Sequence, residues 1–376
     1  MDLLESIVGL FSNFADITWQ QMVMWIIGGL LIYLAIAKKM EPSLLLPMGF
    51  GAILVNLPNS GAISEHGPIT VLFEAGMSNE LFPLLLFIGI GAMIDFGPLL
   101  QKPWLMLFGA AAQFGIFITL VLAGFFFPLR DAASIAIIGA ADGPTAIFVA
   151  NQLKSEYLGA IMVAAYSYMA LVPIVQPPVI KLVTSQKERR IRMAYSAGKV
   201  SKLTRILFPI VVTVIAGLVA PDSAALVGFL MFGNLLRECG VLNALSDTAQ
   251  NVLANLITIL LGLTVAARMT AAEFVKLDTL LILALGLFAF VFDTVGGVLV
   301  AKLINIFLPA NKKLNPMIGA AGISAFPMSG RVINQMGLKE DNQNFLLMYS
   351  ISVNVSGQIA SVVAGGMLLG LVSKLV

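Results

Sequence analysis

Long apolar runs recur along the whole chain, near 22–37, 104–129 and 277–301, and a bilayer core accepts a helix of about 20 such residues. Hydrophobic residues make up 59% and charged residues 11% of the 376 positions, so lipid rather than water is the solvent for most of the surface. Breaks at Pro, Gly and charge divide the chain into about twelve segments. They lie near 22–37, 44–57, 82–100, 104–129, 132–152, 157–182, 205–220, 224–236, 252–267, 277–303, 314–330 and 345–373. Residues 1–16 carry Asp2, Glu5 and Asp16 without a basic start, which reads as an interfacial helix rather than a cleavable signal. One Cys (Cys239) and one His (His66) exclude an intrachain disulfide and a histidine-rich metal centre. A net charge of +2 does not call for nucleic acid.

Orientation follows from the basic residues. The connector 187–205 contains Lys187, Arg189, Arg190, Arg192, Lys199, Lys202 and Arg205, which places it in the cytoplasm with Lys38 and Lys39. The loop 58–80 has Glu65, Glu74 and Glu80 but no Lys or Arg, which suits the outside, as does the N-terminus. For the first and sixth segments both to end inside, one of the first six must fail to cross. Segment 132–152 is the candidate, because Gly139-Ala140-Ala141-Asp142-Gly143-Pro144 cannot continue a helix past Pro144 without losing a hydrogen bond. With 314–330 treated likewise, every Lys and Arg lies inside except Arg130, Lys154, Arg268, Lys276 and Lys374.

The halves match. Gly49-Phe50 recurs as Gly228-Phe229, Ile138-Gly139-Ala140-Ala141 as Ile318-Gly319-Ala320-Ala321, and Tyr166-Ser167 as Tyr349-Ser350, at offsets of 179, 180 and 183 residues. An odd crossing number gives the copies opposite orientation. The expected fold is therefore an all-α polytopic membrane protein of two inverted repeats, with about 10 spans plus two broken or re-entrant segments, arranged like an elevator transporter. Its expected parts are an N-terminal interfacial helix at 1–20, a first membrane repeat at 21–182, a basic cytoplasmic linker at 183–204 and a second membrane repeat at 205–376.

Polar groups inside the apolar runs mark the site. Asp142 would be costly facing lipid and belongs against protein or a water-filled cavity, unless Asp142-Gly143-Pro144 is only an interfacial turn. Thr145 adds a hydroxyl. The second break offers Asn315, Gly319, Ser324, Pro327, Ser329 and Arg331, and the last segment offers Asn354. One carboxylate among neutral oxygens suits sodium better than magnesium or calcium. Helix packing is the alternative, preferred for Ser329 and Ser356. Tyr168 lies where a phenol could bond Asp142 or deliver a proton, whereas Tyr166 and Tyr157 read as interfacial anchors. Asp293 is a second intramembrane acid with no counterpart in the other half, and it reads as a structural or proton-linked group. Arg331 could receive a carboxylate or serve only as a positive-inside residue.

Together these residues resemble the beta subunit of the sodium-translocating biotin-dependent decarboxylases, of the oxaloacetate, methylmalonyl-CoA, glutaconyl-CoA and malonate types. The resemblance spans essentially the whole chain. It rests on Ala37-Lys38-Lys39 with Glu41-Pro42, Gly91-Ala92-Met93, Phe96-Gly97-Pro98-Leu99-Leu100, Ala111-Ala112-Gln113-Phe114-Gly115, Ala141-Asp142-Gly143-Pro144-Thr145, Ala165-Tyr166-Ser167-Tyr168-Met169-Ala170, Gln176-Pro177-Pro178, Lys187-Glu188-Arg189 and Phe232-Gly233-Asn234-Leu235.

The resemblance implies an enzyme that decarboxylates carboxybiotin carried on a separate subunit and drives sodium outward, with a proton consumed. The family's functional aspartate falls on Asp142, its tyrosine on Tyr168, its second cluster on Asn315, Gly319, Ser324 and Arg331, and its late asparagine on Asn354. From these, sodium is expected at Asp142, Ser324 and Asn354, with Asn315 and Gly319 alongside, and carboxybiotin at Arg331. Asp142, Tyr168 and Arg331 are the expected catalytic residues. Implied partners are biotin carrier and carboxyltransferase subunits, a small single-span gamma or delta subunit and two further copies of this chain in a homotrimer, in the bacterial inner membrane. The resemblance also implies a transport unit moving against a scaffold. No lysine here sits in a Met-Lys-Met biotin-attachment context. A short 58–80 connector leans toward a CoA-thioester substrate for the holoenzyme. A secondary sodium/proton antiporter or sodium-coupled organic-anion symporter is the alternative reading, and a structural anchor is a weaker third.

Overall fold

The computed structural model describes residues 12–40, 42–193 and 198–375. Among them every regular element is a helix. Seven helices are long and apolar enough to span a bilayer, or up to eight if the bent pair Pro68–Gly76 and Leu81–Met93 is one span. That is fewer than the ten spans expected. Pro42–Val55 is 14 residues, about 21 Å at 1.5 Å per residue, and Ala224–Glu238 is 15, both short of a 30 Å core. The run expected at 104–129 ends at Ala123 and is interrupted at Ala112 and Gln113. Most of the expected N-terminal helix lies outside the described residues. Its described end holds one short turn, Ser12–Phe14, and the first long helix starts at Trp19, where the Thr18 side chain and Gln21 form a reciprocal cap.

The chain divides into two compact units, residues 1–82 with 255–281 and residues 83–254 with 282–376. In the first, Trp19–Ala37 and Pro42–Val55 pack backbone to backbone. A methyl at Gly28 would lie 2.7 Å from the Gly49 carbonyl oxygen and one at Gly49 2.6 Å from that of Gly28, so only glycine permits the approach. Buried Asn56 fastens this pair to the later segment. Its Nδ2 donates to the Ala52 and Met269 carbonyls at 2.8 and 2.7 Å, and its Oδ1 accepts from Ala271 N–H at 2.7 Å.

The second unit holds both interrupted segments. The first runs as helix Leu129–Ala136, a 3-10 turn Ile137–Ala140 and helix Gly143–Gln152. Ala141 adopts the left-handed conformation (φ 52°) that ends the first piece, and Asp142 caps the second, with Pro144 in its first turn. The second runs as a 3-10 turn Pro316–Gly322, an irregular stretch and helix Met328–Glu340. Leu158–Val183, Leu277–Phe307 and the 29-residue helix Leu347–Leu375 surround them. Contact is again through glycine, since a methyl at Gly297 would sit 2.1 Å from the Gly319 oxygen.

The basic linker has a structural task that its charge alone did not reveal. Arg189 pairs with Glu340 at 2.7 Å and Arg192 with Asp341 at 2.6 Å, at the end of the helix that follows the second interruption. The carbonyls of Arg189 and Ile191 accept from Asn315 Nδ2 at 2.8 and 2.9 Å, at its start. Residues 194–197 of this linker lie outside the described residues.

Candidate functional site

The two interruptions meet at their backbones, where Ser324 N–H donates to the Ala140 carbonyl at 2.9 Å. The irregular chain here finds hydrogen-bond partners within the protein. Helix Leu347–Leu375 supplies most of them from one face. Asn354 Nδ2 donates to the Ile323 carbonyl at 2.7 Å, the Gly357 carbonyl accepts from Ser324 Oγ at 2.9 Å, and Gln358 Nε2 and Ser361 Oγ donate to Asp142 Oδ2 at 2.9 and 3.0 Å. Positions 354, 357, 358 and 361 recur at helical spacing, so one stripe reaches both interruptions.

Asp142 is 3% exposed. Its Oδ2 takes three donors, the third being Thr145 Oγ1 at 2.7 Å, whereas Oδ1 has only a long contact from Thr145 N–H at 3.4 Å. Among the described residues it makes no ion pair. A buried carboxylate with hydrogen bonds but no counter-charge, and one oxygen nearly free, is suited to a monovalent cation. Two further oxygens lack partners nearby. Gln113 Nε2 donates to the Gly322 carbonyl at 3.4 Å, next to the Ile323 carbonyl held by Asn354, and the amide oxygens of both Gln113 and Asn354 are buried and unpartnered.

The structure thus brings Asp142, Ser324 and Asn354 into one network. It commits Asn315 elsewhere, to the linker carbonyls through Nδ2 and to Met317 N–H at 3.1 Å through Oδ1. Gly319 supplies close packing against Gly297. Arg331 is exposed in the first turn of Met328–Glu340 and makes no ion pair among the described residues. Ser329 is spent on Gln176, its Oγ donating to Gln176 Oε1 at 3.0 Å, and Ser356 on the Val353 carbonyl at 2.7 Å.

The tyrosines depart from expectation. Tyr168 donates its hydroxyl to the Leu283 carbonyl rather than to Asp142. Residues two apart on a helix face different ways, and Tyr166 faces the first interruption instead. A methyl at Gly143 would lie 2.2 Å from the Tyr166 ring, whose hydroxyl is buried and unpartnered, so Tyr166 is no interfacial anchor. Sequence reasoning also missed Gln358 and Ser361 as partners of Asp142. The available signal was their spacing from Asn354 within an otherwise apolar helix.

Residues 20–372 match the family described as the Na+-transporting oxaloacetate decarboxylase beta subunit. The chain is 46% identical to the methylmalonyl-CoA decarboxylase subunit beta of Propionigenium modestum, across 98% of this chain and all of that protein. It is 44% identical to the oxaloacetate decarboxylase beta chain of Klebsiella pneumoniae, covering 93% and 94% of the two. It is 47% identical to the glutaconyl-CoA decarboxylase subunit beta of Acidaminococcus fermentans, covering 96% of each.

Proposed function

The chain belongs to the beta-subunit family of sodium-transporting oxaloacetate decarboxylases, and on that footing we propose that it decarboxylates carboxybiotin delivered by a partner subunit and couples this to outward sodium transport. The observation that carries the reading is Asp142, a buried carboxylate with no ion-pair partner among the described residues, where two interrupted segments meet.

Sodium is the cargo. It binds at Asp142 Oδ1, whose sister oxygen is fixed by Thr145, Gln358 and Ser361, with Asn354 Oδ1 and neighbouring carbonyls completing the shell. Its charge neutralises the carboxylate, which makes the loaded site less costly to carry through a low-dielectric interior. Arg331, exposed where helix Met328–Glu340 begins, receives the carboxylate of carboxybiotin. Leaving water favours breaking the N–C bond. Carbon dioxide departs and the ureido nitrogen takes up a proton, which is the proton consumed. Tyr168 bears on this step through the segment it holds at Leu283, not by touching Asp142. The site works within a multisubunit assembly of the inner membrane, with the biotin carrier, the carboxyltransferase, a small gamma or delta subunit and a trimer of this chain. The linker 187–205 faces the cytoplasm.

The decisive experiment is Asp142→Asn in the assembled complex, assayed for sodium-dependent decarboxylation of free carboxybiotin and for sodium uptake into inverted vesicles. Both should fall by at least about 100-fold, the scale of losing a buried charge partner worth roughly 3 kcal/mol or more. Retention of sodium-stimulated decarboxylation refutes the reading. Sodium transport by this chain alone, without carboxybiotin, points to a secondary carrier instead.

A further inference from the structure

Asp293 stands in helix Leu277–Phe307, fully buried, and has no part in the chemistry above. Its Oδ1 accepts from Ile116 N–H at 3.2 Å, in the first turn of helix Phe114–Ala123, where the 103–123 span is interrupted. Its Oδ2 is buried and has no hydrogen-bond partner among the described residues. A methyl at Gly139 would lie 2.8 Å from that oxygen, so Oδ2 is aimed at the backbone of the first interruption, three residues before Asp142. At the 180-residue offset that relates Ile138-Gly139-Ala140-Ala141 to its repeat, position 293 falls opposite Gln113. Gln113 rests on the second interruption at Gly322 and also carries a buried, unpartnered oxygen. Asp293 therefore has a counterpart after all, an amide, and only one member of the pair can hold a proton.

Among the described residues no lysine, arginine or histidine pairs with Asp293. The elements that meet it, Phe114–Ala123 and Ile137–Ala140, and those packed on its helix at Gly296 and Gly297, Met106–Ala111 and Pro316–Gly322, contain no titratable side chain. The nearest such groups along the adjoining elements are Asp142 beyond Gly139, Tyr166, Tyr168 and Lys181 on Leu158–Val183, and Arg130 and Asp131 on Leu129–Ala136. On its own helix they are Asp278 and Lys302, both more than two turns away. An ionised carboxylate with a bare oxygen in such surroundings is far more costly than a neutral one, and a single helix N-terminus offsets only part of that cost. A metal cation needs several oxygens around it, whereas a proton needs one.

We propose that Asp293 is a proton-binding site of the first interruption, distinct from the cation site at Asp142. The proton is taken from and returned to water, and its presence sets the charge directly behind Gly139.

The test is infrared difference spectroscopy of the purified protein between acid and alkaline pH. The wild type should show the carbonyl stretch of a protonated carboxyl in apolar surroundings. That band should be lost in Asp293→Asn, retained in Asp142→Asn and shifted in Asp293→Glu. A band unchanged in Asp293→Asn, or none in the wild type at any pH, overturns the proposal. On the wild-type chain, which removes any concern over folding of the variants, an apolar carbodiimide that couples only to protonated carboxyls should modify Asp293 more at acid pH. An Asp293 peptide left unmodified while that of Asp142 is labelled would also contradict it. Neither readout requires carboxybiotin or transport, so the assignment stands or falls separately from the decarboxylase reading.

Discussion

Adding a single methyl to Gly357 should dismantle the site without touching any of its polar groups. A methyl there would sit 2.0 Å from the Gly322 carbonyl oxygen, against roughly 3.4 Å for the closest comfortable carbon–oxygen approach, so helix Leu347–Leu375 must recede by about 1.4 Å. The bonds nearest Gly357 on that face include 2.7 Å from Asn354 to Ile323, 2.9 Å from Ser324 to Gly357 and 2.9 Å from Gln358 to Asp142. Stretched to about 4 Å, they cease to be hydrogen bonds. Two neutral bonds at roughly 0.5–1.5 kcal/mol and one to a charge at roughly 1.5–3 give a loss of about 2.5–6 kcal/mol. Thermal unfolding in detergent, with and without sodium, is the assay. Gly357→Ala should melt earlier and lose most of the stabilisation that sodium confers. Gly29→Ala, where a methyl meets nothing within 4 Å, should match the wild type or exceed it slightly. A Gly357→Ala protein with wild-type melting and wild-type sodium protection would refute the reasoning.

Three further outcomes follow from named contacts. Ser361→Ala and Gln358→Leu each remove a donor from Asp142 Oδ2 and should raise the sodium concentration for half-maximal transport by about tenfold or more, the equivalent of roughly 1.5 kcal/mol, measured in reconstituted vesicles. Asn315→Ala frees the Arg189 and Ile191 carbonyls, so limited proteolysis should cut the 187–205 linker faster while Asp142→Asn leaves that rate unchanged. The hydrogen bond from Arg189 holds the Glu340 carboxyl below its usual range, so this clamp contributes fully above about pH 4.5 and is lost as pH falls through the lower folded value. Proteolysis of the linker should accordingly rise on acidification in the wild type and be high and nearly pH-independent in Glu340→Gln.

Residues whose cost in lipid is large were legible from sequence, because an acid such as Asp142 beside a Gly-Pro interruption stands out within an apolar run. The structure interrupts its helices within both of the breaks read from sequence, 139–144 and 315–331, although the second regains its helix at Met328, since Pro and Gly act locally. What sequence could not resolve was which polar groups meet. Tyr166 and Tyr168 are equally plausible by composition, and only the rotation of Leu158–Val183 decides that the first faces Gly143 and the second Leu283. Gln358 and Ser361 were hidden for a related reason. In a helix buried on most sides, polar spacing does not stand out against an apolar face, because there is scarcely an exposed face to contrast with it. The linker read as a topological marker because charge reports which side of the membrane a loop occupies, and says nothing of the carbonyls it offers to Asn315.

The polar stripe on Leu347–Leu375 spans positions 354 to 361, about 10 Å along a rigid rod, and it is fastened at one end to the second interruption and at the other to Asp142. Ser324 and Ala140 are joined directly across the same gap. Prising the two interruptions apart would therefore mean breaking at least three of these bonds, whereas moving all three segments together breaks none of them. The spacing among Asp142, Ser324 and Asn354 is thus held like a gauge block, set by the regular rise of one helix rather than by the conformation of loops.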